Sequence, residues 1–152
     1  MDISEIRIRL LANQRDKLRA FASLTIDDCL VVRDIKIIEG PHGLFVAMPS
    51  RKLCDRCPRC GGKNHLRAAH CNDCGQRLSE KRGSMDERGR PRLYADTCHP
   101  ISQEARDFVQ GALLEAYGEE LERSKQEGYV AKTFDDLDYE YLEGYPEAAN
   151  HR

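Results

Sequence analysis

The chain has 152 residues, of which 40% are hydrophobic and 33% charged, and it contains no tryptophan. This length suits one domain of ordinary size plus an appendage. No stretch approaches the length and apolarity of a membrane-spanning helix, so we expect a soluble, cytosolic protein. The net charge of −2 conceals a basic middle: residues 51–92 hold 12 Lys and Arg against five Asp and Glu. Such a segment indicates an anionic partner, the alternative being arginines that merely solvate loops.

Alternating apolar residues predict two paired strands at the start of the chain. Within residues 3–10 the apolar residues Ile6, Ile8 and Leu10 alternate with Arg7 and Arg9, and residues 17–26 follow the same pattern. Alternation with a period of two is typical of half-buried strands. A turn at 13–16 joins the segments, so we expect an antiparallel hairpin. Its polar face is either solvated or a stripe of phosphate contacts formed by Arg7, Arg9 and Arg19.

Three further short strands are expected before the C-terminal part. The β-branched run at 29–38 favours a strand, although a helical turn at its start is an alternative. Residues 39–43 predict a turn, and residues 44–48 predict a strand that ends at Pro49. A last short strand is expected over 92–98.

Two Cys-x-x-Cys pairs between these strands predict a metal site. Cys57 and Cys60 form the first pair, Cys71 and Cys74 form the second, and a glycine follows each pair. Two residues between thiols let one tight turn present both sulfurs to a single ion, and two such turns complete a tetrahedral cage for Zn²⁺. The glycines suit a positive φ at the corner of each turn. The segment resembles the short zinc ribbons of many bacterial proteins, and we expect a structural zinc ion.

Other uses of these cysteines fit the sequence less well. Disulfides need an oxidising compartment, and residues 1–5 do not look like the start of a signal peptide. A thioredoxin-like pair needs a βαβ context. Catalytic zinc sites keep an open position, and the His-x-Glu and His-Glu-x-x-His patterns that serve them are absent from the sequence. With no Cys–His pair placed for nucleophilic work, we expect neither enzyme activity nor a small-molecule substrate.

The ligand set has alternatives nearby. Cys54 could replace Cys57, and His65 or His70 could also bind the ion. We favour the two glycine-tailed pairs, because they carry the residues of a tight metal-binding turn. Two further thiols lie in apolar or strand-like contexts and are expected to be buried, namely Cys29 and Cys98.

One helix is expected after the last strand. Ser102 is a good N-cap, and Glu104 in the first turn complements the positive end of the helix dipole. Gly111 is expected to allow close packing on the sheet, and Gly118 to end the helix unless a charged continuation reaches Gln126. The predicted apolar stripe of the helix comprises Ile101, Ala105, Phe108, Val109, Ala112, Leu113 and Ala116.

The end of the chain is acidic and poor in aliphatic residues. Residues 133–152 carry six acidic side chains against one basic side chain, Arg152. Such a composition predicts disorder. The tyrosines within it (Tyr139, Tyr141 and Tyr145) allow a docking peptide that folds on binding another protein.

Outside the cysteine pairs the sequence resembles the SpoVG family (stage V sporulation protein G, septation regulators). The resemblance lies in residues 20–40, in the run Gly-Leu-Phe-Val-Ala-Met-Pro-Ser-Arg-Lys at 43–52, and in Asp-Thr-Cys-His-Pro-Ile-Ser at 96–102. It implies a small dimeric α+β domain with a curved antiparallel sheet and a C-terminal helix. It also implies a bacterial cytosolic regulator that binds DNA and RNA and bears on septation, sporulation and gene expression.

These patterns together predict three parts. Residues 1–52 and 92–120 form a SpoVG-like α+β domain with a small antiparallel sheet and a C-terminal helix. Residues 53–91 form an inserted zinc ribbon and linker, where the resemblance implies only a short loop in other members. Residues 121–152 form a disordered acidic tail.

The predicted function is a nucleic-acid-binding regulator, DNA or RNA, in which zinc stiffens a basic protrusion. Lys and Arg side chains neutralise phosphates and give affinity with little base selectivity. The alternative is a protein-interaction adaptor that uses the ribbon and the acidic tail. The candidate phosphate contacts are Arg51, Lys52, Arg56, Arg59, Lys63, Arg67, Arg77, Lys81 and Arg82.

Overall fold

The structure, a computed structural model, describes residues 1–11 and 17–131. They form two compact units, one made of Met1–Met48 with the segment from Pro100 onward, the other of Pro49–His99. The predicted turn at 13–16 and the predicted tail beyond residue 131 lie outside the described residues. In the part of the chain that the structure describes, no helix is long and apolar enough to cross a membrane.

The first unit is built on a four-stranded antiparallel sheet. Its strands are β1 (Ile3–Leu10), β2 (Leu18–Ile26), β3 (Leu30–Gly40) and β4 (Gly43–Ala47), and each pairs with the next along the chain. The predicted hairpin of β1 and β2 is confirmed, and the ambiguous segment after it is a strand. The α+β fold class expected from the sequence is therefore confirmed.

A two-residue turn decides the ambiguity at the start of β3. Asp27 and Asp28 both have positive φ, 49° and 51°, and the Cys29 N–H donates to the Ile26 carbonyl at 3.0 Å. A turn with φ > 0 at both central positions matches the twist of the flanking strands, and Asp tolerates this conformation better than most residues. The turn leaves Cys29 exposed. The prediction of a buried thiol there is wrong.

A single helix covers one face of this sheet. α1 (Gln103–Ser124) begins after Ser102, whose hydroxyl accepts from the Ala105 N–H at 3.1 Å, and Glu104 lies in its first turn. The predicted N-cap is thus confirmed. Val109, Leu113 and Tyr117 are buried on the helix and join the core of the sheet. The sheet side of that core comprises Ile8, Ala20, Ala22, Leu24, Val32, Ile35 and Ile37.

The buried stripe of the helix is narrower than the sequence predicts. Ile101 is 96% exposed and lies before the first residue of the helix. Phe108 is 50% exposed, because the row that meets the sheet repeats every four residues from Val109. Gly111 is also exposed, with nothing within 4 Å of a Cβ placed there, so it serves no close packing.

The helix continues through Gly118 instead of ending there. Glu120 on its last turns is only 6% exposed and accepts from the Arg123 guanidinium and the Tyr129 hydroxyl. A buried carboxylate requires such partners, and these contacts tie the segment after the helix to it. The described residues thus continue to residue 131, beyond residue 121, where the sequence predicted the tail to begin.

The second unit contains two small antiparallel pairs. β5 (Ser50–Lys52) pairs with β8 (Tyr94–Asp96), and β6 (Cys54–Arg56) pairs with β7 (Lys63–His65). The strand expected over 92–98 is thus shorter, and Cys98 beyond it is exposed, not buried as predicted. The structure groups β5 and β8 with the cysteine pairs, whereas the sequence assigned them to the α+β domain.

Replacing Leu113 by alanine tests the core of the first unit. Leu113 is 0% exposed, so Leu113→Ala should lower the free energy of unfolding by about 3 kcal/mol through lost burial and a cavity. Glu115→Ala, an exposed position on the same helix, should change it by less than about 0.5 kcal/mol. Urea unfolding followed by far-UV circular dichroism measures both, and equal effects would contradict this packing.

Candidate metal centre

Both cysteine pairs are folded into tight turns of the same design. In the first, the Cys57 N–H donates to the Gly62 carbonyl at 2.8 Å and the Gly61 N–H donates back to the Cys57 carbonyl at 2.9 Å. In the second, the Cys71 N–H donates to Gln76 at 2.9 Å and the Gly75 N–H donates to Cys71 at 3.0 Å. The two glycines have φ of 75° and 72°, which confirms the predicted corners.

The two turns bring four sulfurs together. The Sγ atoms of Cys57, Cys60, Cys71 and Cys74 all lie within 4.8 Å of one another. The Cys57–Cys74 distance is 3.7 Å and the Cys60–Cys71 distance is 3.5 Å. Four sulfurs placed tetrahedrally at about 2.3 Å from a zinc ion would be about 3.8 Å apart. The group can therefore hold a metal ion, and it is the group favoured from the sequence.

The three alternative ligands lie outside this group. Cys54 is exposed, and its thiol lies 3.6 Å from the Lys52 carbonyl. His65 Nδ1 accepts from the Arg67 N–H at 3.2 Å, and His70 is exposed in a β-bridge to Arg77. None of these three residues belongs to the group of four sulfurs.

Protein N–H groups are directed at the sulfurs. The Arg59 N–H donates to Cys57 Sγ at 3.4 Å, and the Gly62 N–H donates to Cys60 Sγ at 3.4 Å. The Asn64 amide donates to Cys71 Sγ at 3.3 Å. Such donors stabilise thiolate over thiol, which is the form that binds a metal.

These donors and the crowding of the sulfurs shift the thiol pKa values in opposite directions. The Cys74 backbone N–H, followed by the Asn64 amide, lowers the pKa of Cys71 to about 6. The Cys60 backbone N–H lowers the pKa of Cys57. For Cys60 the Gly62 N–H also acts to lower the pKa, but the neighbouring sulfurs of Cys71 and Cys74 outweigh it and raise the pKa to about 12. Some thiols thus ionise at the expense of others, and a nearby cation would favour the ionised form of all four.

Asn64 is a site residue that the sequence analysis missed. It is only 1% exposed, and its amide donates to the Gly62 carbonyl at 3.0 Å as well as to Cys71 Sγ. Its carbonyl oxygen accepts from the Asn72 N–H at 2.8 Å. One side chain therefore joins the first cysteine turn to the second. Nothing in the spacing of the cysteines indicates this role.

Arg82 differs from the other predicted phosphate contacts. Its side chain is 10% exposed, and its guanidinium pairs with Asp55. It also donates to the carbonyls of Ser79, His65, Leu66 and Ala68. The Arg82 guanidinium therefore points into the unit, where its hydrogen bonds join the segment before the second cysteine turn to the segment after it. This geometry argues against its predicted role as a phosphate contact.

The other eight predicted contacts are exposed, and three of them cluster beside the first cysteine turn. Arg56 and Lys63 lie directly opposite each other in the β6–β7 pair, and Arg59 lies within the turn between those strands. Arg56 also donates to the Gly61 carbonyl at 3.2 Å. Five others are exposed elsewhere in the second unit, namely Arg51, Lys52, Arg67, Arg77 and Lys81.

The fold and the sulfur group define the class of protein: a small α+β protein with a module between β4 and α1 that is able to hold a metal ion. A model of the SpoVG family matches residues 1–119, and the chain belongs to that family.

Curated relatives agree with this assignment. The chain is 36% identical over 117 residues to a protein of Caldicellulosiruptor bescii, which covers 77% of this chain and 91% of the relative. It is 37% identical over 123 residues to a protein of Finegoldia magna, covering 81% and 80%. It is 38% identical over 117 residues to a protein of Lachnospira eligens, covering 77% and 91%. All three are named as septation proteins of the SpoVG type.

Removing the Asn64 side chain should weaken metal binding. Asn64→Ala deletes the donor to Cys71 Sγ and the link between the two turns, and loss of such a supporting contact typically costs about 10- to 100-fold in metal affinity. Competition with a chromophoric chelator measures this. Asn72→Ala is the matched control, because Asn72 contributes its backbone N–H and its side chain is exposed. Equal affinities of the two variants would contradict the role of Asn64.

Proposed function

We propose that this chain is a nucleic-acid-binding regulatory protein of the SpoVG type, in which Zn²⁺ held by Cys57, Cys60, Cys71 and Cys74 stabilises a basic module. Four thiolates are the donor set of structural zinc sites and leave no open position for chemistry. The proposal therefore includes no enzyme activity. Bound zinc would supply the charge that lets all four sulfurs ionise, and the hydrogen bonds to sulfur would fix their orientation.

The observation that carries the nucleic-acid proposal is the Arg56–Lys63 pair. Like charges directly opposite each other on neighbouring strands destabilise a sheet. The exposed Arg59 adds a third positive charge beside them. Binding of a polyanion would neutralise these cations and so remove the repulsion that destabilises the short strand pair. A phosphate backbone supplies regularly spaced negative charge for this.

The charge of the whole second unit supports the same partner. Residues 49–99 contain 12 Lys and Arg against six Asp and Glu. Of the six acids, Asp55 and Asp86 are paired with arginines. A positive potential of this kind attracts nucleic acid and speeds its association.

The names of the relatives and the family resemblance supply the biological setting of the proposal. We extend the septation role in those names to this chain, together with a bacterial cytoplasmic location and a homodimeric state. Contacts to phosphate come from exposed lysines and arginines and carry little base selectivity.

Removing the metal should unfold the second unit and spare the first. The core of the first unit contains no cysteine, whereas Cys57 and Cys71 are buried at the centre of the second. Structural zinc contributes on the order of 10 kcal/mol to folding of a small module. A strong chelator should therefore collapse the amide NMR signals of residues 49–99 and leave those of β1–β4 dispersed. One zinc per chain, measured by elemental mass spectrometry, should be lost in Cys71→Ser. A metal-free protein with all signals intact would overturn the zinc assignment.

Nucleic-acid binding should depend steeply on salt through the second unit. The double substitution Arg56→Ser with Lys63→Ser removes two phosphate contacts, so the slope of log affinity against log salt should fall by about two. Fluorescence anisotropy with labelled duplex DNA and single-stranded RNA measures it. Arg106→Ser, an exposed position on α1, is the control and should change the slope little. Binding that is insensitive to salt, or a captured protein partner without nucleic acid, would support the adaptor instead.

A further inference from the structure

A basic hairpin in the second unit lies outside the predicted contacts. We call Ser84–Arg92 the arginine hairpin. The Gly89 N–H donates to the Asp86 carbonyl at 2.9 Å, and the Asp86 N–H donates to the Arg90 carbonyl at 2.8 Å. At the two ends of the hairpin, the Arg92 N–H donates to the Ser84 carbonyl at 2.9 Å. Gly89 has φ of 72°, a conformation that glycine adopts without strain.

Asp86 fixes the tip of the arginine hairpin. Its Oδ1 accepts from the backbone N–H groups of Arg88 at 2.9 Å and Arg90 at 2.8 Å. Its Oδ2 accepts from Arg90 Nε at 2.9 Å, so the charge of Arg90 is compensated within the hairpin. Arg88 and Arg92 are exposed, and among the described residues neither has an ion-pair partner. The hairpin thus offers two exposed guanidinium groups without ion-pair partners, and it also carries the exposed carboxylate of Glu87.

Two apolar side chains accompany these arginines. Met85 and Pro91 face each other in a β-bridge across the arginine hairpin. Met85 is 54% exposed, and Pro91 is also exposed. Covering this methionine with a partner would remove apolar surface from water, which is favourable. The hairpin therefore combines free arginines with an apolar pair at its centre.

This combination matches the chemistry of minor-groove recognition. Proteins that bind the minor groove place arginines in it and often insert Met or Pro against the base steps. β-ribbons are one of the elements that enter DNA grooves. The B-form minor groove is only about 6 Å wide. Gly89 adds no side chain at the tip, and nothing lies within 4 Å of a Cβ placed there.

We propose that the arginine hairpin binds the minor groove of A·T-rich duplex DNA. This rests on the proposed nucleic-acid function and names the nucleic acid and the groove. A·T-rich tracts have a narrow minor groove whose enhanced negative potential attracts arginine. They also lack the guanine amino group that obstructs the groove floor. Duplex RNA is a poorer fit, because its minor groove is wide and shallow.

Inosine-containing DNA separates the two grooves. An I·C pair presents the minor-groove surface of an A·T pair and the major-groove surface of a G·C pair, because inosine is guanine without its 2-amino group. Three duplexes of equal length should be compared by anisotropy with the full chain, one A·T-rich, one G·C-rich and one I·C-rich. The A·T and I·C duplexes should bind about tenfold tighter than the G·C duplex.

Matched variants assign that preference to the arginine hairpin. The double substitution Arg88→Ala with Arg92→Ala should abolish the preference, so that the A·T, I·C and G·C duplexes bind with about equal affinity. Arg67→Ala with Arg77→Ala removes the same charge from exposed positions of the same unit, so it should weaken all three duplexes alike and keep the preference. Amide NMR spectra of both variants check that the fold persists.

Each outcome decides between the hairpin inference and the broader function. If the I·C duplex behaves like the G·C duplex, the minor-groove assignment is wrong while nucleic-acid binding stands. If single-stranded RNA binds more tightly than every duplex, or both double variants lose the preference equally, the hairpin assignment also fails. If the intact chain binds no nucleic acid at all, the proposed function fails with it.

Discussion

The close packing of four cysteine sulfurs is the constraint on which the second unit depends. Negative charges on sulfurs as close as the 3.5 Å of Cys60–Cys71 and the 3.7 Å of Cys57–Cys74 would repel one another. The opposite directions of the pKa shifts of Cys60 and Cys71 reflect these contacts. N–H groups nevertheless donate hydrogen bonds to these sulfurs. A site that stabilises thiolates while crowding them can hold a positive ion.

The second unit has few other sources of stability. Besides the cysteines, its buried apolar residues are Leu66 and Leu78, of which Leu78 clusters with Cys57 and Cys71. This is too little apolar burial to fold a segment of this size alone. Asn64 and Arg82 take the place of a larger core. The first joins the two cysteine turns, and the second gathers carbonyl groups from three neighbouring residues, His65, Leu66 and Ala68. A polar side chain that forms hydrogen bonds to several backbone groups at once can hold together a segment whose apolar core is too small to do so.

This dependence explains which features were readable from the sequence. Local patterns gave the strands of the sheet, the Ser102 cap and the four clustered cysteines, because each is set by neighbours along the chain. The buried face of the helix is one row formed by Val109, Leu113 and Tyr117, where the helix meets the sheet. Helical periodicity in the sequence does not predict how wide that row is, because the width depends on the packing of the helix on the sheet. Asn64 and Arg82 were missed or misassigned for the same reason, since an isolated Asn or Arg carries no signal of distant partners.

The same polar organisation bears on function. The surface of the second unit is rich in positive charge and places Arg56 directly opposite Lys63. The repulsion between these like charges lowers the stability of the strand pair. Hydrogen bonds and contacts of the sulfur group offset that loss in place of a large hydrophobic core. Asp86 acts likewise in the arginine hairpin, where it holds the turn and neutralises Arg90, leaving Arg88 and Arg92 available. A rigid scaffold with unpaired cations loses little entropy when a polyanion binds, which favours affinity through preorganisation.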